Sequence, residues 1–128
     1  MRIPFFKATL TGNEQQYVTQ VLQKNESFYT KEFIGRCQQW FAENHGLREF
    51  YLTKSCSHSL ELAMLALDLE PGDEVIMPSY AFVSCANAVA LRGAICVYVD
   101  IEPNWMNLDV TKVSAAITSK TKAIVTIN

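Results

Sequence analysis

From residue 50 onward, short apolar runs alternate with segments of helical periodicity. The apolar runs have the length of strands and cover residues 50–52, 74–77, 95–99 and 123–127. The helical segments between them cover residues 57–69, 81–91 and 110–117. Strands that are separated by helices pair in parallel and are buried on both faces. The pattern therefore predicts an α/β fold, with a mostly parallel sheet and flanking helices.

Two amphipathic helices are predicted before the first strand. The first lies within residues 13–24; the second can be capped by Thr30 and ends at Gly46, a residue that favours a left-handed C-cap. We expect all 128 residues to form one domain, with an N-terminal helical segment (1–48) and a βαβ core (49–128). Because the last apolar run is followed by no further element, we expect a truncated N-terminal part of a larger domain.

The charge and cysteine patterns exclude several classes of protein. A net charge of −2 with scattered basic residues argues against a nucleic-acid or anionic-membrane surface. The sequence contains no long apolar segment, so it predicts neither a signal peptide nor a membrane span. The cysteines lack CxxC spacing, which argues against a disulfide framework or a metal site, and we expect a cytoplasmic protein with reduced thiols; they are Cys37, Cys56, Cys85 and Cys96.

Residues 53–57 form a turn rich in hydroxyl and thiol side chains between a predicted strand and the start of a predicted helix. The backbone N–H groups of Cys56 and Ser57, with the Ser57 hydroxyl, could bind a phosphate at the positive end of the helix dipole. Alternatively, Ser57 is an N-cap without a ligand. The turn lacks the glycines and the lysine of a Walker loop and the G-x-G-x-x-G of a dinucleotide fold, so a phosphate site here would be of another type.

Two aromatic residues follow the predicted strand at 74–77. Because ligands of parallel sheets bind at the carboxyl ends of strands, Tyr80 and Phe82 are placed to contact a ligand at the first turn, and a ring there could stack on a flat cofactor. Alternatively, Phe82 belongs to the core. Asp100 ends another strand and either lines the site or forms a turn. Trp105 and Met106 are expected to pack back onto the sheet.

These motifs together closely resemble the DegT/DnrJ/EryC1/StrS family. The resemblance rests on the runs at 53–61, 71–84, 91–94 and 99–100 and on Gly-Arg-Cys-Gln-Gln-Trp at 35–40. It implies a pyridoxal-phosphate (PLP) sugar aminotransferase of fold type I, the aspartate-aminotransferase-like large domain. Within the family the chain is most similar to transaminases of dTDP-4-keto-6-deoxyglucose, which serve enterobacterial common antigen, and this implies a role in lipopolysaccharide or O-antigen biosynthesis.

The resemblance also implies roles for single residues. The backbone at Cys56 and Ser57 would hold the cofactor phosphate, and Phe82 would stack on the pyridine ring. Tyr29 and its loop are expected near the sugar nucleotide, although they match no family residue. The aspartate that pairs with the pyridine nitrogen and the lysine that forms the Schiff base match no position, so no catalytic residue is assigned and the chain alone is expected to be inactive.

In full length, the resemblance implies a homodimeric enzyme that transfers an amino group from L-glutamate to a dTDP-4-keto-6-deoxyhexose. Two alternatives stay open at this point. The chain could be a non-enzymatic binding or interaction remnant of a truncated gene. It could also be a fragment of a PLP-dependent sugar dehydrase of the same family, which has a histidine in place of the lysine.

Overall fold

The computed structural model of the protein describes residues 3–4, 6–24 and 31–127. The predicted cap Thr30 and the predicted substrate-facing Tyr29 lie outside the described residues. The chain forms two compact units, Met1–Leu52 and Thr53–Asn128. Each unit is described by itself, and the single domain expected from the sequence stays a prediction.

The first unit contains both predicted helices, α1 (Glu14–Gln23) and α2 (Lys31–His45). The Glu14 carboxylate accepts hydrogen bonds from the N–H of Thr11 at 2.6 Å and from that of Gly12 at 2.9 Å. These bonds, above all the one from the Thr11 N–H, lower the pKa of Glu14 to about 2. After α2, Gly46 has φ +64°, the left-handed conformation that the sequence predicts for this helix end.

Residues 50–52 form no strand, and this prediction was wrong. The Phe50 carbonyl accepts a hydrogen bond from Gln38 Nε2 at 2.8 Å, and the Phe50 ring stacks on Phe41 with centroids 3.9 Å apart. Both partners belong to α2, so the segment is fixed against a helix within its own unit. Tyr51 and Leu52 are 70% and 49% exposed, so a run of three apolar residues indicated neither burial nor the presence of a partner strand.

The second unit alternates helices and strands as predicted. Its helices are α3 (Cys56–Ala66), α4 (Ser84–Ala90) and α5 (Val110–Ala116), and its strands are β1 (Glu74–Pro78), β2 (Ile95–Val99) and β3 (Thr121–Ile124). The strands form one parallel sheet in the order β2-β1-β3. The α/β fold class with a parallel sheet is therefore confirmed.

The central strand β1 is buried on both faces. Successive side chains of a strand point to opposite faces, so Val75 and Met77 pack with α3 and α4 residues such as Met64 and Val89. On the other face, Ile76 packs in a second cluster with Val99 and Leu108. This two-sided burial explains why β1 reads as a continuous apolar run.

Two local features fix the ends of these elements. Asp109 caps α5, because its Oδ1 accepts a hydrogen bond from the Thr111 N–H at 3.1 Å. The Thr111 hydroxyl also donates to Asp109, and this bond is the main cause that lowers the pKa of the carboxyl. Gly93, before β2, has φ +72°, and a Cβ there would lie 3.1 Å from Pro71 Cγ, so the turn requires glycine.

The segment after β2 differs from the prediction. Trp105 is 78% exposed and Met106 is 57% exposed, so neither packs onto the sheet. Across the described part of the chain, no helix combines the length and the apolar character that crossing a membrane requires.

Candidate functional site

A cavity of about 940 Å³ opens in the second unit at the carboxyl ends of β1 and β3. Ligands of parallel sheets bind at this edge. The lining comes from the start of α3, the segment after β1, the loop before α5 and the residues after β3. It consists of Ser55, Cys56, Ser57, Leu60, Tyr80, Ala81, Phe82, Ser84, Cys85, Met106, Asn107, Val125, Thr126 and Ile127.

The first turn of α3 is capped by Ser55 rather than by Ser57, which corrects the sequence alternative. Ser55 has extended backbone angles (φ −160°, ψ 161°), and its side chain accepts a hydrogen bond from the His58 N–H. The Ser55 carbonyl accepts the N–H of Ser59 at 3.2 Å. Ser57 is therefore the second residue of the helix, and its hydroxyl is not needed to cap it.

Two N–H groups remain at the start of α3. Within the described part of the chain, the amides of Cys56 and Ser57 have no hydrogen-bond acceptor, nor has the Ser57 hydroxyl a partner. Unpaired donors of a first helical turn carry partial positive charge, and both residues line the cavity. Unpaired donors at the start of a helix are a favourable place for an anion.

Phe82 lies on the wall of the same cavity, in the segment between β1 and α4. Its side chain is 76% exposed, which excludes the core role that the sequence left open. Helix α4 begins at Ser84, later than predicted, and the Phe82 carbonyl accepts the N–H of Cys85 at 3.1 Å. The ring is therefore held in an irregular segment and is free to contact a ligand. Tyr80, 65% exposed, shares this wall.

Asp100 does not line this cavity, contrary to one of its two expected roles. Its carboxylate lies 3.3 Å from Lys112 Nζ, and its carbonyl accepts the N–H of Asp109 at 3.0 Å. The hydrogen bond to Asp100 is the main cause that raises the pKa of Lys112. The Asp100 carboxylate is thus paired with α5.

The cavity lining carries no full charge. No aspartate, glutamate, lysine, arginine or histidine is among its residues in the part of the chain that the structure describes. An anion bound at the start of α3 would meet no repelling carboxylate. The same absence means that the lining offers no strong general base, and no described group of three or more histidine, cysteine or acidic residues could hold a metal ion.

Sequence reasoning did not single out Asn107 and Thr126, although both line the cavity. Thr126 follows a strand, so the rule that placed Tyr80 at the carboxyl edge would also have found it. Asn107 had no such signal, because the loop that carries it is fixed by contacts described below.

Comparison with known proteins supports a specific family. The sequence profile of the DegT/DnrJ/EryC1/StrS aminotransferase family matches residues 8–128. GDP-perosamine synthase of Caulobacter vibrioides is 35% identical over 99% of this chain and 34% of its own length. UDP-2-acetamido-2-deoxy-3-oxo-D-glucuronate aminotransferase of Pseudomonas aeruginosa is 47% identical over 58% of this chain and 21% of its own length. The chain spans about a third of the length of the first curated relatives that it matches.

Solved structures of PLP-dependent sugar enzymes also match nearly the whole of this chain. The Escherichia coli GDP-4-keto-6-deoxy-D-mannose-3-dehydratase with bound hydrated PLP has a TM-score of 0.87 at 27% identity, over 99% of this chain and 34% of that chain. A putative sugar aminotransferase from Streptococcus pneumoniae in its PMP form has a TM-score of 0.82 at 28% identity, over 98% of this chain and 32% of that chain. The predicted fold type and the predicted family cofactor are thereby confirmed.

Proposed function

The chain belongs to the DegT/DnrJ/EryC1/StrS aminotransferase family, and on that premise we propose that it forms the part of a sugar-nucleotide aminotransferase that binds the phosphate and one ring face of PLP. One observation supports the proposal most directly. The unpaired amides of Cys56 and Ser57 share a cavity with the exposed ring of Phe82. An anion site beside a free aromatic face matches a cofactor that is a phosphate ester of a flat pyridine.

The start of α3 fits the phosphate end of this cofactor. The Cys56 and Ser57 amides can each donate one hydrogen bond, and the Ser57 hydroxyl can donate a third. Helix α3 has 11 residues, so its aligned peptide dipoles add a favourable potential for an anion. The Ser55 side chain accepts the hydrogen bond of the His58 N–H, so it does not occupy the N–H groups of Cys56 and Ser57.

The remaining cavity fits the ring end. Its volume of about 940 Å³ lies within the range of cofactor and small-molecule sites and leaves room for part of a substrate. Phe82 offers a flat apolar face, and Val125 and Ile127 add apolar contacts that exclude water. When bound, PLP supplies the carbonyl and the electron sink for amino transfer. In this proposal the described residues of the chain bind and orient PLP. None of them is assigned as the group that transfers a proton.

We infer that the whole protein transfers an amino group from L-glutamate to a 4-keto sugar nucleotide, with a dTDP-4-keto-6-deoxyhexose as the expected substrate. The relatives support a sugar substrate, while their names specify GDP- and UDP-linked sugars. We also infer a cytoplasmic homo-oligomer that acts in surface-polysaccharide biosynthesis. The cytoplasmic location rests on the cysteine pattern of the sequence, which lacks the spacing of a disulfide framework.

A second candidate function is favoured by one comparison. The Escherichia coli 3-dehydratase matches this chain with a TM-score of 0.87, so the same N-terminal architecture occurs in a sugar dehydratase. Amino transfer and dehydration differ in their products. Incubation of the complete protein with L-glutamate and keto-sugar nucleotides distinguishes them, because an aminated sugar supports the first and a deoxygenated sugar the second. A protein that binds PLP but forms neither product would be a binding module.

The phosphate assignment is tested by replacing Cys56 with proline. Cys56 is the first residue of α3, a position that favours proline, and Ser55 before it is already extended. Cys56→Pro therefore removes one N–H group from the site with little change of the helix. We expect a loss of PLP and inorganic phosphate affinity of about tenfold, as for one lost hydrogen bond.

Cys56→Ala is the matched control, because it removes the thiol and keeps the N–H group. It should bind PLP and phosphate like the unmodified chain. Equal affinity of Cys56→Pro and Cys56→Ala for both ligands, with both variants folded, would exclude a phosphate site at these amides.

A further inference from the structure

The loop of residues 101–108 joins β2 to α5 and brings Met106 and Asn107 to the cavity wall. An antiparallel bridge between Ile101 and Leu108 closes its base. Leu108 is 7% exposed and packs in the cluster under β1, so the base is anchored in the core. The tip of the loop has no such anchor, since Trp105 is largely exposed.

A single carboxylate organises the tip of this loop. Glu102 Oε2 accepts hydrogen bonds from the N–H groups of Asn104 at 3.0 Å and Trp105 at 2.9 Å. Glu102 Oε1 accepts Asn104 Nδ2 at 2.7 Å. Hydrogen bonds to a charged acceptor are stronger than neutral ones, so these three contacts hold the chain on both sides of the turn together.

The backbone of Glu102 completes the arrangement. Its N–H donates to the Asn107 carbonyl and its carbonyl accepts the Met106 N–H, both at 2.8 Å. Met106 has φ +56°, a left-handed conformation that is uncommon for a residue with a side chain. Such a conformation persists only where the surrounding contacts fix it. Here the backbone of Glu102 holds Met106 and Asn107 directly, while its carboxylate holds Asn104 and Trp105 before them. Together these contacts set where Met106 and Asn107 meet the cavity.

We propose that Glu102 is a positioning residue of this cavity, which acts by presenting Met106 and Asn107 to the part of the ligand beyond its phosphate. The proposal rests on the proposed function, in which the Cys56 and Ser57 amides hold that phosphate. The Asn107 carboxamide has no hydrogen-bond partner within the described chain, so it is available to a polar substituent of the ring or of the sugar. Glu102 itself does not line the cavity, so it acts through the two residues that do.

The test compares two ligands on the full chain. PLP binding is measured by absorbance, and inorganic phosphate binding by the shifts of the Cys56 and Ser57 amide resonances. In Glu102→Ala the PLP dissociation constant should rise about tenfold, as for one lost hydrogen bond, while phosphate affinity stays the same. Glu102→Gln should recover part of the loss, because its amide oxygen still accepts. Glu70→Ala, which removes an exposed carboxylate away from the cavity, should change neither constant.

A second variant separates positioning from folding. Asn107→Ala should show the same selective loss of PLP affinity, and the double variant Glu102→Ala with Asn107→Ala should be no weaker than Asn107→Ala alone. Unchanged PLP affinity in Glu102→Ala, or an equal loss of PLP and phosphate affinity in both Glu102 variants, would overturn the proposal. Binding of neither ligand by the unmodified chain would instead overturn the proposed function on which it rests.

Discussion

Ser55 and His58 contact each other twice across the first turn of α3. Ser55 Oγ accepts the His58 N–H at 3.3 Å, and the same oxygen lies 2.9 Å from His58 Nδ1. Because of this contact, the backbone N–H groups of the turn have two different roles. The His58 amide stabilises the helix, and the amides of Cys56 and Ser57 stay available to a ligand. The helix cap and the proposed anion site therefore use different backbone N–H groups of the same turn.

The cap predicts a stability effect at Ser55. Ser55→Ala removes the acceptor of the His58 N–H and should lower the free energy of unfolding by about 1 kcal/mol, the usual effect of losing an N-cap. Ser57→Ala is the matched control and should change stability less, because the Ser57 hydroxyl caps nothing. Urea unfolding of both variants measures the difference. A larger loss in Ser57→Ala would show that the capping assignment is wrong.

Phe82 predicts a selective effect on the cofactor. Phe82→Ala should lower PLP affinity about tenfold, or ~1.4 kcal/mol of stacking, and leave inorganic phosphate affinity unchanged. Stability should change little, because the side chain is 76% exposed. Leu91→Ala serves as the control, since Leu91 is 72% exposed and lies outside the cavity lining. Loss of phosphate affinity together with PLP affinity would contradict a role limited to the ring.

Glu14 predicts a pH dependence of the first unit. Its pKa falls from an ordinary 4.5 to about 2, mainly through the Thr11 N–H, so the stabilisation is complete above pH 4.5. It should be lost as the pH falls from 4.5 to about 2, because the folded state then has to protonate a carboxylate that it prefers ionised. Glu14→Gln should remove this dependence.

The measurement is the thermal unfolding midpoint of the unmodified chain and of Glu14→Gln between these pH values. The difference between the two should shrink as the pH falls. Glu70→Gln, at an exposed carboxylate of the other unit, controls for the general effect of acid. A difference that stays constant down to pH 2 would contradict the assignment.

The exposed apolar side chains predict self-association. Tyr98, on strand β2 at one edge of the sheet, is 59% exposed, and Val110 at the start of α5 is 76% exposed. Apolar patches and strand edges drive association, so we expect a dimer or higher oligomer that buries more than about 1,000 Å². Sedimentation velocity over a range of concentrations tests this. A monodisperse monomer at micromolar concentration would be incompatible with it.

The sequence predicted the parts of the fold that depend on long apolar patterns. Strands β1 and β2 lie where the apolar runs are, and the cap of α5 at Asp109 follows from local chemistry that short motifs describe well. Strand β3 covers Thr121–Ile124 and lies earlier than the predicted residues 123–127, because its first two residues are polar and do not belong to the apolar run. Boundaries of this kind depend on pairing with β1.

The sequence indicated where the candidate cavity lies, but it did not indicate the details of its lining. Cys56, Ser57 and Phe82 meet at one cavity because the carboxyl edge of a parallel sheet collects such residues. The choice of Ser55 as cap could not be read from the sequence, since several hydroxyl residues stand side by side and the backbone angles decide between them. Likewise, no sequence pattern indicated that Lys112 would form an ion pair with the Asp100 carboxylate.

The strand order β2-β1-β3 has a consequence for how the chain acquires its site. Of the three strands that the structure describes, the central one is synthesised before both of its neighbours, and it pairs with them only when later segments have left the ribosome. Pairings between distant segments form slowly. The wall at Val125 and Thr126 follows β3, so a ligand that reaches from the start of α3 to this wall can bind only after β3 has paired with β1. Such a ligand would stabilise the pairing of β3 with β1, because it binds only the paired state.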